Sequence, residues 1–67
     1  MKYIVIELQK DKGGQVANLV TSHETLAEAE SKYYSILASA AVSQIPTHSA
    51  IIVSEEGFPV KNNCYKH

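Results

Sequence analysis

The sequence predicts an α+β fold in the order ββαββ, with one helix packed on a four-stranded antiparallel sheet in two layers. Three observations predict it. Side chains alternate with period two from Lys2 to Gln9, the spacing turns helical after Thr25, and two further strand-like runs flank Glu55-Glu56-Gly57. With 67 residues, the chain has room for a single small domain spanning 1–67.

In the first run, Ile4, Ile6 and Leu8 point one way and Tyr3, Val5 and Glu7 the other. Asp11-Lys12-Gly13-Gly14 supplies residues that tolerate positive φ, so a hairpin turn follows. Val16 to Thr21 is the returning strand, with Ala17, Leu19 and Thr21 opposite Val16, Asn18 and Val20. Thr25-Leu26-Ala27-Glu28 fits a capping box. From there Leu26, Ala29, Tyr33, Ile36, Leu37 and Ala40 form one apolar helical stripe. Glu28 and Lys32, four apart, are expected to pair along it. The helix should reach about Ser43, because Pro46 cannot continue it and pushes Ile45 out of the α region. Ala50 to Ser54 is the third strand, and its Ile51-Ile52-Val53 centre is apolar on both faces. Gly57 is the turn residue expected at positive φ. Pro59 to Tyr65 makes the last strand, with Pro59 at its start or on an edge.

A domain this short buries only about 60% of its unfolded surface. The core of such a domain rarely supplies more than about 3–5 kcal/mol. One cysteine, Cys64, excludes an internal disulfide, and His23, His48, Cys64 and His67 lack the paired spacings of a structural metal site. Self-association is the stabiliser that remains. One helix covers one sheet face, so Tyr3 and Val5 are expected on the uncovered face. Tyr34, Ala38, Ala41 and Ile45 form a second helix stripe without a partner. Tyr3, Val5, Tyr34, Ala38 and Ala41 are therefore the expected interface between copies.

Seven carboxylates against six cations give a formal charge of −1, which argues against a nucleic-acid partner. The opening Met1–Glu7 has one cation and too short an apolar run for a signal peptide, and no stretch approaches a membrane span. The expected location is the cytosol. No catalytic residues, cofactor or metal are expected. Cys64 with His67 is the nearest nucleophile–base pair, but a chain-end histidine is expected to fray. Glu55 and Glu56 are adjacent and suit a solvated turn, and Gly13-Gly14 is too short to cradle a phosphate. Phe58, Lys61, Asn63, Tyr65 and Lys66 combine aromatic faces, an amide and cations, the types that stack on bases and hold phosphates. They are the candidate ligand site.

Three stretches carry a resemblance: Met1-Lys2-Tyr3-Ile4-Val5-Ile6-Glu7, Ala27-Glu28-Ala29-Glu30-Ser31-Lys32-Tyr33, and Gly57-Phe58 with Cys64-Tyr65-Lys66-His67. In these the chain resembles a group of very short proteins encoded by phages and prophages of Gram-positive bacteria. The resemblance implies action by binding, such as sequestering a small nucleotide signal in counter-defence or blocking a host or phage protein. It implies no chemistry for any residue.

Overall fold

The computed structural model of the chain describes residues 1–67. Its elements are β1 (Tyr3–Lys10), β2 (Val16–His23), α1 (Leu26–Ala41), β3 (Thr47–Ser54) and β4 (Pro59–Lys66). The strands form one sheet in the order β2-β1-β3-β4 with every neighbouring pair antiparallel, and the helix lies on one face. The predicted two-layer ββαββ fold is the observed one. β2 and β3 therefore run parallel on either side of β1, and α1 is the crossover between them.

Local chemistry sets the element boundaries. Gly14 and Gly57 hold φ of 85° and 91° in the two hairpin turns, where a side chain would be strained. Asp11 closes the first turn, its carboxylate accepting the Gln15 N–H at 2.9 Å. Thr25 caps the helix by accepting the Glu28 N–H at 3.2 Å. The Glu28 carboxylate takes the Thr25 hydroxyl in return, where a capping box would have it reach the backbone. The helix ends at Ala41 with Val42 as its cap, two residues short of Ser43.

β3 displays the two sides of the sheet most plainly. His48, Ala50, Ile52 and Ser54 are buried, while Thr47, Ser49, Ile51 and Val53 are half-buried. Rows across the sheet follow from the register. On the helix side lie Thr21–Val5–Ile52–Lys61, Leu19–Glu7–Ala50–Asn63 and Ala17–Gln9–His48–Tyr65. On the other side lie Ser22–Ile4–Val53–Pro59, Val20–Ile6–Ile51–Asn62 and Asn18–Leu8–Ser49–Cys64. The core packs Ala29, Tyr33, Ile36 and Leu37 of the helix onto Val5, Ala50 and Ile52.

This corrects the expected interface. Val5 is 1% exposed beneath the helix and Tyr3 packs against the same core, so neither belongs to the open face. The open face carries Ile4, Ile6 and Leu8 instead. Alternation sorts side chains into two rows but does not say which row meets the helix. The crossover decides that, because such connections turn right-handed in about 98% of cases and so reach one face only.

Candidate functional site

The first polar cluster lies under the helix. His48 sits opposite Gln9 in the register and diagonal to Glu7, which brings its Nε2 to 2.6 Å from Glu7 Oε2. Gln9 Nε2 donates to the same oxygen at 3.0 Å. Burial pushes the Glu7 carboxyl up, but hydrogen bonds from His48 and Gln9, with the charges of His48 and Lys32, outweigh it and leave the pKa below its ordinary value. An ionised carboxylate can only accept, so Nε2 carries the proton. His48 Nδ1 is buried and has no hydrogen-bond partner. With Nε2 held by Glu7 and Nδ1 bonded to nothing, no hydroxyl or thiol engages the imidazole. The triad logic lacks its nucleophile.

Two shallow hollows adjoin this cluster, and both include Gln9 and Ala17. One of about 220 Å³ is walled by Asp11, Gln15, Val16 and Ile45, the other of about 130 Å³ by Glu7, Asn18 and Leu19. They lie where the helix, packed mainly over β3 and β1, leaves Ala17 and Leu19 of β2 exposed. Every β2 residue is exposed or half-buried.

The second cluster joins two sets of residues expected to act separately. Lys61 donates to the Tyr34 hydroxyl at 2.8 Å and pairs with Glu30 at 2.5 Å. The hydrogen bond to Glu30, then that to Tyr34, holds the ammonium pKa well above the ordinary lysine range. This pair replaces the expected Glu28–Lys32 bridge, which does not form. Because Lys61 lies in the surface, Lys61→Ala should lower the melting temperature only slightly, and added salt should shrink the difference. A loss that grows with salt would count against an ion pair there.

The predicted ligand residues do not converge. Phe58 stands 67% exposed at the β3–β4 turn. By strand alternation Lys61, Asn63 and Tyr65 face the helix side, and Lys66 faces the opposite side. Asn63 spends its carbonyl oxygen on the Cys64 N–H at 2.8 Å. Tyr65 packs against the core and stacks on His67 with ring centres 6.5 Å apart. One copy thus divides the five residues between two faces and a turn.

His67 is anchored, contrary to the expected fraying. Its N–H donates to the Pro46 carbonyl at 2.8 Å and its Nε2 to the Ala40 carbonyl at 2.9 Å, closing the helix C-terminus. Cys64 is exposed on the other side of the sheet and has no histidine beside it. His23 bonds the Thr21 hydroxyl at 2.9 Å. No three His, Cys, Asp or Glu residues gather as metal ligands.

The face of the sheet away from the helix is open. Ile4, Ile6, Ile51 and Val53 are half-buried on it, and Leu8 and Val20 are 37% and 55% exposed. Polar Asn18, Ser22, Thr47, Ser49 and Asn62 ring them. On the helix, Tyr34, Ala38 and Ala41 are exposed as expected. No helix is long and apolar enough to cross a membrane. No family model matches the chain, and neither does any curated protein or solved structure.

Proposed function

We propose that the protein is a non-catalytic binding module that works as a homo-oligomer, its copies meeting through the open sheet face. The observation that carries this reading is the apolar centre of that face inside a polar rim, the usual anatomy of a protein interface. Two such faces packed at about 10 Å would form a β-sandwich core between two outer helices. The chain has need of that core. Only ten of its 67 residues are buried within one copy, which is little to hold a fold without disulfide or metal.

Ile6 occupies the middle of the face, between Val20 and Ile51. Ile6→Lys should leave the circular-dichroism spectrum unchanged while the mass by light scattering falls below that of the wild type, because every contact through the open face is lost. Wild-type protein that stays monomeric and melts cooperatively at millimolar concentration would remove the proposal.

A second reading is a module that binds or inhibits a host or phage protein through the helix flank. It is favoured by Tyr34, 52% exposed beside bare Ala38 and Ala41. Tyr34→Asp separates the two, since it should leave the self-assembled mass untouched. Sequestration of a small nucleotide is a narrower form of the first reading. It needs residues of two copies, and a flat thermal-shift response across a panel of cyclic nucleotides would eliminate it.

A further inference from the structure

The two edges of the sheet are built differently. β4 begins with Pro59, carries a register shift opposite Ile52 and Val53, and includes Lys61 and Lys66. Each of these hinders another strand from pairing there. β2 has none of them. Its eight residues, VANLVTSH, hold no charge and no proline, and they pair with β1 in unbroken register from Tyr3↔His23 to Lys10↔Val16. Val16, Leu19 and Val20 are 57%, 54% and 55% exposed along it. A long, unbroken, uncharged edge presents a row of free N–H and C=O groups with which another strand can pair.

We propose that β2 pairs antiparallel with β2 of a second copy about a two-fold axis normal to the sheet, making one continuous eight-stranded sheet. A second copy fits for three reasons. An uncharged strand set against itself opposes no like charges. Antiparallel pairing also lays each end beside the partner's other end, which brings Lys12 of the first turn toward Glu24 beyond the strand, twice over.

The third reason is the sparsely covered helix side of β2, where Ala17 and Leu19 are exposed. Opposed residues of an antiparallel pair share a face, so an axis normal to the sheet matches odd positions with odd ones. The pair is then centred on Leu19 or on Val20. Either way Ala17, Leu19 and Thr21 of both copies become the floor of one trough between two helices. Glu7 and Gln9 of each copy lie along it, and the two small hollows of one copy open into it. This contact leaves the open face free and stands or falls separately from the assembly proposed above.

The test is disulfide trapping in a Cys64→Ser background. Opposed residues of an antiparallel pair have Cα atoms about 4.5–5.5 Å apart, within the span of a disulfide. Leu19→Cys or Val20→Cys should give a covalent dimer under mild oxidation, and Phe58→Cys at the β3–β4 turn, on the far edge of the sheet from β2, should not. Amide exchange across residues 16–23 should slow as protein concentration rises. Running both measurements in Ile6→Lys separates the two contacts: trapping that persists there shows an edge contact independent of the open face. No trapping from either cysteine, with exchange across β2 unchanged by concentration, would overturn the edge pairing, whatever the mass of the wild type.

Discussion

Ile52→Ala should cost about 2–5 kcal/mol, enough to unfold much of the protein at room temperature. Ile52 is fully buried, between Val5 and Lys61 in its row and under the helix residues Tyr33, Ile36 and Leu37. Truncating it empties the centre of a core that, in a domain of this size, rarely contributes more than about 3–5 kcal/mol. The neighbouring Ile51→Ala gives the contrast. Ile51 points to the open face and is only half-buried within one copy, so its loss should be small in dilute protein. If the open face meets another copy, that loss grows as concentration rises, because the removed surface is then buried. Urea melts of both variants at two concentrations measure this. An Ile52→Ala midpoint within experimental error of the wild type would mean that the core lies elsewhere.

The same pair of residues shows how far the sequence can be read. Ile51-Ile52-Val53 is legible as a strand, and its apolar character on both sides announces that both faces matter. Which of the two isoleucines meets the helix is not legible. The β1 pattern even points the wrong way: Ile4, Ile6 and Leu8 form the more apolar row, yet the row of Tyr3, Val5, Glu7 and Gln9 is the one that meets the helix. The selection comes from the crossover of α1 between parallel strands, a property of connectivity. Turns and caps were readable because each depends on a few adjacent residues. Gly14, Gly57, Thr25 and Pro46 act where they stand.

Side-chain partners were the least legible. Glu28 and Lys32 have favourable helical spacing, yet Lys61 on β4 takes Glu30 and the Lys32 charge lies near Glu7. The ligand cluster gathered five residues of one short segment, and strand alternation then split them. His48 was missed because β3 was expected to start at Ala50. Extending it back to Thr47 puts His48 in the row of Ala50 and Ile52, and that alternation was the available signal. Its contact with Glu7 depends on the β1–β3 register, which no local pattern sets.

That contact supports the second large prediction. Glu7→Leu should destabilise by about 1–3 kcal/mol, because it leaves the 3% exposed His48 ring with both nitrogens unpartnered. His48→Leu should cost less, since it removes the orphaned Nδ1 and leaves Glu7 the Gln9 amide. The double variant replaces both partners by apolar groups and should lose less than the two single losses combined, with a coupling of about 0.5–3 kcal/mol. Acid gives an independent reading of the same pair. The folded-state pKa of Glu7 lies below its ordinary value of 4.5, so the stability it lends is complete above about pH 4.5 and is lost as pH falls through the folded value. Below the folded value both states hold the proton and the contribution is gone. The wild type should therefore lose more stability than the double variant between about pH 5 and pH 2, in melts run at equal concentration. Parallel acid curves, or single losses that simply add, would mean that the carboxylate and the imidazole are neighbours without being coupled.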